Sequence, residues 1–400
     1  MTLARHVDLA GRGAMAVLGF SIPISVALDN VLLVLCFALW LLAGSWREKV
    51  GALRANPVFL SALGLFALLA MGLAWGARNP GDGVLYLRKY ADLMLVAPLA
   101  FLVRDAVARA WAIRAFAASL ALILLLSFLL QSGLLPPTRW WLGNATNPVV
   151  FKHHLTHNLL MAFAAFLFAE LALAARTPRS RALLWLVSFL ATVNVLFMVQ
   201  GRTGYVVLAV LALYLGYRLR GPRGLVIATV STLALACILA LVPGTFHDRV
   251  QIFLDEYRAW RPSEASRTST GLRLEFYRNT AAIIRDSPLL GVGTGGFPRA
   301  YADRVQDSGA APTRNPHNEY LHIAAQTGLV GLAALLWLFF LQWRSAPRLA
   351  APQDCHMARA LVLTIAVGCL FNSLLIDHTE GLMYAWLTAV LYGGLQSREP

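Results

Sequence analysis

The side chains best suited to acid–base chemistry lie in the stretch R-N-P-H-N-E-Y, residues 314–320, where a polar segment gives way to an apolar one. His317 stands between Asn315 and Asn318, and Glu319 follows. A neutral imidazole, with a usual pKa of about 6.5, can accept a proton from a weak nucleophile such as a hydroxyl group. Asn318 and Glu319 either orient this imidazole or only cap the helix that follows.

Three basic residues lie beside apolar segments: Arg202 in V-Q-G-R-T-G-Y, and Arg88 and Lys89 in L-Y-L-R-K-Y-A-D-L. A cation inside a membrane needs a partner or a purpose, because it costs about 2.5–3.5 kcal/mol at the bilayer centre. Arg202 also fits a snorkelling side chain at a helix end. Arg88 also fits an ion pair with Asp92, four residues later on the same helical face. Together, the three cations would attract a phosphate.

Two histidines in K-H-H-L-T-H-N, His153 and His157, are four residues apart and could hold a metal on one helical face. Neither an HExxH glutamate nor a third nearby ligand accompanies them, so the start of a helix at the membrane interface is the favoured interpretation. The four cysteines have neither a disulfide-framework nor a metal-site spacing. We therefore expect no metal and no cofactor.

The elements that position these residues are apolar. The chain has 400 residues, of which 58% are hydrophobic and 14% charged, which predicts a polytopic membrane protein. A helix needs roughly 17–25 mostly apolar residues to span the hydrocarbon core. Segments of about this kind predict an all-α fold with twelve transmembrane helices, at residues 13–28, 30–44, 57–75, 84–103, 110–131, 154–175, 182–199, 204–219, 224–242, 319–343, 357–376 and 381–395. The first two would form a hairpin with its turn at Asp29 and Asn30.

The distribution of lysine and arginine predicts the topology. Short loops on one side hold most of these residues, as cytoplasmic loops do. The opposite short loops hold only Arg78, Arg139, Lys152 and Arg202. Both termini would then be cytoplasmic, and the formal net charge of +14 reflects topology signals rather than a nucleic-acid partner.

One long polar interval, residues 243–318, separates the ninth predicted span from the tenth and would lie outside. The sequence thus divides into helices 1–9 at 1–242, an external helical domain at 243–318, and helices 10–12 at 319–400. Ser269 and Thr270 would cap a helix that ends near Ser287 and Pro288. The stretch G-V-G-T-G-G-F after it predicts a flexible loop, and without a preceding strand it does not indicate a nucleotide site.

The region 269–332 resembles the signature of the O-antigen ligase and polymerase superfamily. The similarity rests on S-x-G-x-R, D-S-P-L-L-G-V-G-T-G-G-F, P-H-N-E-Y-L-H and G-L-V-G-L, in that order. Arg202 in G-R-T-G-Y, ahead of the large external loop, also fits. Twelve spans with one large loop late in the chain look most like the O-antigen ligases of Gram-negative bacteria.

This resemblance implies a GT-C-like glycosyltransferase of the bacterial inner membrane with a periplasmic active site. The implied donor is O-antigen polysaccharide on undecaprenyl pyrophosphate, and the implied acceptor is a sugar of lipid A-core. The family is understood to be metal-independent and inverting. Among the residues of this chain, His317 matches the essential histidine, and Arg202 and Arg273 match the essential arginines. Arg88, with Lys89 beside it, stands where the family usually has a basic residue.

These matches give each residue an expected role. His317 would be the general base. Arg202, Arg273 and Arg88 would bind the pyrophosphate as charged, bidentate donors. Two other interpretations remain open: an O-antigen polymerase, which uses another lipid-linked glycan as acceptor, and an anion transporter, which would move solute without making a covalent product. Asp377, His378 and Glu380 could support His317, although a solvated turn is the favoured interpretation.

Overall fold

The computed structural model describes residues 3–76, 80–136, 138, 141–261, 267–308 and 310–395. Within these ranges the chain is helical, which agrees with the predicted all-α class, and it forms sixteen α-helices. The predicted topology signals at Arg78 and Arg139 lie outside the described residues.

The first half of the chain forms eight helices. They are α1 (Leu3–Ser21), α2 (Val26–Leu42), α3 (Trp46–Ala55), α4 (Pro57–Met71), α5 (Pro80–Lys89), α6 (Asp92–Leu102), α7 (Ala106–Gln131) and α8 (His154–Leu173).

The second half forms eight more. They are α9 (Pro178–Val193), α10 (Arg202–Leu241), α11 (Thr245–Ala259), α12 (Ser269–Asp286), α13 (Phe297–Val305), α14 (Glu319–Ser345), α15 (Pro352–Gly368) and α16 (His378–Tyr392). A π-helical turn, Asn194–Met198, extends α9.

Six helices of the described chain are long and apolar enough to cross a membrane, or seven if α2 and α3 are taken as one bent span. The predicted number of twelve is larger partly because α10 contains two predicted spans. Its backbone is non-helical at Arg220 and Gly221. A Cβ atom placed on Gly216 would lie 2.6 Å from the carbonyl oxygen of Gly224. The two arms of α10 therefore fold back against each other as a hairpin.

Two local predictions were wrong. The first hairpin turns at residues 22–25, not at Asp29 and Asn30, because Ser25 caps α2 through the N–H of Leu28. The predicted fourth span is broken between α5 and α6, where the N–H groups of Tyr90 and Ala91 donate to carbonyl oxygens three positions back instead of four. Arg88 and Asp92 therefore do not share a helical face, and no Arg88–Asp92 salt bridge forms.

Four helices begin at the same end of the bundle and bring polar residues there: α8 at His154, α10 at Arg202, α14 at Glu319 and α16 at His378. Helix α8 is buried along most of its length. It packs against α9, α10 and α15. A buried central helix surrounded by others fixes the relative positions of these helix starts, and so of the side chains that they carry.

The segment between α10 and α14 packs onto this end of the bundle. Helix α12 is capped by Thr268, one residue before the predicted caps, and ends at Asp286 as predicted. Its apolar face, with Phe276 and Ile283, packs against α13 and α14.

The glycine-rich stretch after α12 is packed against other elements, so the prediction of a flexible loop was wrong. The N–H groups of Val292 and Gly293 donate to Ala325 and Gln326 of α14, and Thr294 donates to Gly72 and Leu69. Gly293 has a φ of 81°, which a residue without a Cβ atom adopts readily. Glycine here permits close backbone packing, and the long-range hydrogen bonds hold the segment in place.

Candidate functional site

A chain of hydrogen bonds runs from His317 to a carboxylate. The His317 Nδ1 atom lies 3.1 Å from Oδ1 of Asn372, and Asn372 Nδ2 donates to Oδ2 of Asp377 over 3.1 Å. A carboxylate only accepts, so the Asn372 amide must present its NH2 group to Asp377 and its oxygen to His317. Nδ1 of His317 is then the donor. Its other ring nitrogen, Nε2, is left with a free lone pair.

The backbone of His317 is held in an unusual conformation. Its φ is +56°, the only positive value at a non-glycine residue in the described part of the chain. Its N–H donates to Oδ1 of Asn315 over 2.8 Å, and Ser373 Oγ donates to the same oxygen. Tyr277 donates its hydroxyl proton to the His317 carbonyl. A strained conformation held by several contacts is typical of a functional site.

The surroundings of His317 favour its neutral form. Burial lowers the pKa of the imidazole below its usual value of about 6.5, and the positive charge of Arg273 lowers it further. The hydrogen bond to Asn372 acts in the opposite direction. The net effect is a lowered pKa, so at neutral pH the side chain is an unprotonated base that is only partly exposed.

Arg273 lies on α12, on the face that meets His317. Phe276, one turn later, stacks on the His317 ring with 6.1 Å between centroids, and Tyr277 bonds to the His317 backbone. Among the described residues, Arg273 forms no hydrogen bond or salt bridge. Its guanidinium is therefore available to an anionic ligand beside the base.

Arg202 begins α10 and faces α11 and α12. Its Nη1 atom donates to Oγ1 of Thr270 over 3.0 Å, and its Nη2 atom lies 3.8 Å from Oε2 of Glu256. The Glu256 carboxylate also accepts from the N–H and hydroxyl of Thr270. Arg202 is thus oriented by one polar contact and only partly neutralised by one carboxylate.

The position of Arg202 depends on α8. Asn158 donates from Nδ2 to the carbonyl oxygens of Val199 and Gly201, each over 3.1 Å. These bonds fix the short turn before α10. A Cβ atom on Gly204 would overlap the Asn158 side chain, so the close approach needs glycine at this position.

A third arginine, Arg249, lies near Arg202 and Arg273 and was not predicted. Arg249, on α11, lies close enough to Arg202 to interact with it electrostatically, as does Arg273. It also donates to Oε1 of Gln200. Residues 243–318 are rich in arginine, and no local pattern distinguishes Arg249, so it could not be predicted from the sequence. The three cations, on α10, α11 and α12, therefore lie close together, and Arg273 connects this cluster to His317.

Arg88 and Lys89 are exposed at the break between α5 and α6. No hydrogen bond, salt bridge or ring contact among the described residues joins Arg88 to Arg202, Arg273 or His317. Lys89 lies 5.4 Å from the centre of the Tyr86 ring and interacts electrostatically with Asp377. Of the two, Lys89 is the one placed near the His317 hydrogen-bond chain.

Asn318 and Glu319 do not contact the His317 imidazole. Asn318 caps α14, because its Oδ1 atom accepts from the N–H of Leu321. Glu319 is fully buried; it accepts from the hydroxyl of Tyr90 over 2.8 Å and from the N–H of Leu375 over 2.9 Å. Of the two alternatives for Asn318, capping is the one found. Glu319 ties α14 to the α5–α6 break and to the turn that precedes Asp377.

The turn that contains Asp377, His378 and Glu380 is largely buried, so the prediction of a solvated turn was wrong. Glu380 is only 3% exposed, and His378 lies 3.4 Å from the buried carboxylate of Asp29. Asp377 reaches His317 through Asn372. Burial raises the pKa of Asp377, while Lys89 and the bond from Asn372 act against that rise. Neither Asn372 nor Asp377 is near His317 in sequence, so only the fold reveals the connection.

His157 does not pair with His153 as a metal site would require. It is buried, and its Nε2 atom lies 3.2 Å from Oδ1 of Asn194 in the π-helical turn. In the part of the chain that the structure describes, no group of three histidine, cysteine, aspartate or glutamate side chains is arranged to hold a metal.

A cavity of about 660 Å³ opens beside the loop that leads to His317. Its lining combines aromatic rings with charged groups, among them Trp75, Asp82, Tyr86, Arg299 and Arg314. The Tyr86 hydroxyl donates to the Arg314 carbonyl over 2.9 Å. Aromatic faces beside polar groups are suited to a sugar, and the volume is within the usual range of ligand sites, about 300–1,000 Å³.

The sequence family described as O-antigen ligase matches residues 186–336. The matched region runs from α9 into α14 and includes Arg202, Arg249, Arg273 and His317, but not Asn372 or Asp377. No curated protein matches the chain. The family match confirms the resemblance drawn from the sequence motifs.

Proposed function

We propose that this membrane protein, whose residues 186–336 match the O-antigen ligase family, transfers O-antigen polysaccharide from undecaprenyl pyrophosphate to a sugar of lipid A-core. The reaction takes place at the periplasmic face of the bacterial inner membrane, with both termini in the cytoplasm. The observation that carries the proposal is the His317–Asn372–Asp377 hydrogen-bond chain beside three arginines.

His317 is the general base in this proposal. Its Nε2 lone pair takes the proton of the acceptor hydroxyl while the hydroxyl oxygen forms a bond to the anomeric carbon of the donor. Asn372 and Asp377 hold the ring in the tautomer that leaves Nε2 free. The same hydrogen bonds stabilise the imidazolium that forms at His317. Asp377 does not take the proton, as in other sites where a carboxylate supports a histidine base.

The arginines act on the leaving group. The bond from the anomeric carbon to the pyrophosphate oxygen breaks, and its electron pair stays on undecaprenyl pyrophosphate. Arg202, Arg249 and Arg273 stabilise the charge that grows there, since fixed cations aimed at a developing charge lower the barrier. Attack opposite the leaving group inverts the anomeric configuration. A positive cluster supplies this stabilisation without requiring a divalent ion.

In our proposal Arg88 does not bind the pyrophosphate. Lys89, the other cation at the α5–α6 break, acts indirectly, through its electrostatic interaction with Asp377. The cavity lined by Trp75, Tyr86 and Arg314 holds the acceptor sugar, which then approaches His317 along the loop that contains both Arg314 and the base. Both substrates are lipids of the outer leaflet, so their headgroups reach the same end of the helix bundle.

The test is a transfer assay with the purified protein and two acceptors. We expect polymerised glycan to move from undecaprenyl pyrophosphate to lipid A-core, and not to a second lipid-linked repeat unit. Elongation of the lipid-linked glycan instead would identify a polymerase. Flux of a small anion into vesicles with no covalent product would identify a transporter and would refute the proposed function.

A further inference from the structure

A second cavity lies at the end of the helix bundle opposite His317. It has a volume of about 690 Å³ and is lined by α2, α3, α4 and α6, with mainly apolar side chains such as Phe37, Trp40, Leu53, Phe59 and Phe101. Helix α16 starts beside Asp377 and ends beside this cavity at Tyr392, roughly 20 Å away along its axis. The cavity therefore belongs to the other membrane surface.

The helix that closes the cavity lies across the bundle. Helices α2 and α3 meet at 111°, so α3 runs along the membrane surface when α2 crosses it. Trp46 at the start of α3 is 61% exposed. A short helix of this orientation, with tryptophan and basic residues, is typical of the boundary between headgroups and acyl chains.

One buried cation faces this apolar cavity. Lys49 is only 6% exposed, and its ammonium lies 5.0 Å from the Trp40 ring centre and 4.7 Å from that of Trp46. It donates one hydrogen bond, to the carbonyl oxygen of Leu41 over 3.0 Å, near the end of α2. Within the described residues it forms no salt bridge, although an ammonium has three donors. The two rings, the Leu41 carbonyl and the electrostatic attraction of Glu48 offset part of this buried charge, and two N–H donors remain for an anion.

Further cations surround the mouth of the cavity. Arg104 lines it and stacks over Phe101, 4.1 Å from the ring centre. Glu48 neutralises Arg104 in part, with 3.4 Å between Nη1 and Oε2. Arg47 and Arg54 lie in the adjoining depression formed by α3. Basic residues outnumber this one acidic residue, so the mouth favours an anion while the interior favours hydrocarbon.

We propose that this cavity binds an anionic glycerophospholipid of the leaflet opposite the His317 site. The acyl chain fills the apolar interior, and the phosphate accepts hydrogen bonds from the two free donors of Lys49 and from Arg104. A zwitterionic lipid offers the same chain, but its ammonium would meet the arginines at the mouth. The site therefore selects by headgroup charge and does not depend on the reaction proposed for His317.

The test uses the full chain in nanodiscs that contain equal amounts of phosphatidylglycerol and phosphatidylethanolamine. Lipids that stay bound after transfer to detergent are counted by native mass spectrometry. We expect at least about five-fold enrichment of phosphatidylglycerol, the factor that one basic residue contributes near an anionic headgroup. Lys49→Met should lower this enrichment by about five-fold, and Ala97→Phe, which narrows the cavity, should reduce the bound amount of both lipids.

Arg181→Gln is the matched control. This arginine is at the same end of the bundle, outside the cavity, and hydrogen-bonds to the carbonyl oxygen of Ala175. It should keep the wild-type enrichment. Equal retention of both lipids by the wild type, or undiminished enrichment in Lys49→Met, would overturn the proposal.

A second measurement serves if Lys49→Met does not fold. In the wild type, brominated phosphatidylglycerol should quench tryptophan fluorescence more than brominated phosphatidylethanolamine, because Trp40 and Trp46 adjoin the cavity. Ala97→Phe should remove this difference. Equal quenching by the two lipids in the wild type would likewise overturn the proposal.

Discussion

His317 and Asp377 are joined through a single amide: Nδ1 of His317 lies 3.1 Å from Oδ1 of Asn372, whose Nδ2 atom donates to Asp377 over 3.1 Å. The direction of these bonds is fixed by the carboxylate, which cannot donate. The chain thus determines which nitrogen of His317 is free, and this makes the roles of all three residues testable.

Replacing the carboxylate should slow the chemical step. Asp377→Asn keeps the size of the side chain, but its amide can either donate or accept, so the Asn372 amide can turn and His317 can change tautomer. We expect kcat to fall by about ten-fold or more with little change in either KM. Asp286→Asn, which alters an exposed salt bridge with Arg304, is the control and should keep the wild-type kcat. A change in KM alone would argue against a role in orienting the base.

The pH dependence should follow from the lowered pKa of His317. The base acts only when neutral, so kcat/KM for the donor should be constant near pH 7 and fall with acidification, at a pH below 6.5. Arg273 lowers this pKa by its charge. Arg273→Gln should therefore move the acid limb to higher pH, whereas Arg285→Gln, an exposed position on the same helix, should not. Ionisation of the donor substrate affects the wild type and both variants equally, so a difference between their pH profiles comes from the protein. An unshifted profile in Arg273→Gln would separate Arg273 from the base.

Substitutions around Arg202 should either weaken or strengthen donor binding, depending on the charge that is removed. Arg202→Gln should reduce kcat/KM for the donor by about 10- to 100-fold, the effect of losing a charged hydrogen bond. Glu256→Gln should have the opposite effect on binding and lower the donor KM by up to about five-fold, because the neighbouring carboxylate opposes a pyrophosphate at Arg202. Steady-state kinetics with varied donor concentration measure both. An increased donor KM in Glu256→Gln would contradict this arrangement.

The turn before α10 should not tolerate a methyl group at residue 204. Gly204→Ala would push against Asn158, which holds the carbonyl oxygens of Val199 and Gly201. We expect a loss of about 1–3 kcal/mol in stability, typical of an overpacked site, measured by thermal unfolding in detergent. Gly64→Ala in α4 is the control, since a Cβ atom there has no neighbour within 4 Å. Equal stability of the two variants would show that the contact has no importance.

The sequence predicted the features that are local. Apolar composition reveals membrane helices, and the family motifs drew attention to His317, Arg202 and Arg273, which the fold places on elements that face one another. Two predicted boundaries were wrong, the turn before α2 and the unbroken span over α5 and α6. Apolar composition does not reveal such boundaries, because one capping residue or one change in hydrogen bonding moves a helix end without changing the composition.

The partners of these residues could not be predicted, because they are distant in sequence. Asn372 lies 55 positions after His317, and no pattern in the chain connects them. Before the helices are packed, nothing distinguishes Arg249 from the other arginines of residues 243–318. The glycine-rich segment was wrongly expected to be flexible, since its order comes from hydrogen bonds to α14 and to Gly72.

The central claim is that His317 is the base of a glycosyl transfer assisted by arginines. The most direct measurement is the initial rate of transfer from undecaprenyl-pyrophosphate-linked glycan to lipid A-core in excess EDTA, for the wild type and for folded His317→Ala. We predict that the wild type keeps its full rate and that the variant loses about 10²- to 10⁴-fold. A wild-type rate lost on chelation and restored by a divalent ion, or transfer by His317→Ala at the wild-type rate, would contradict the claim.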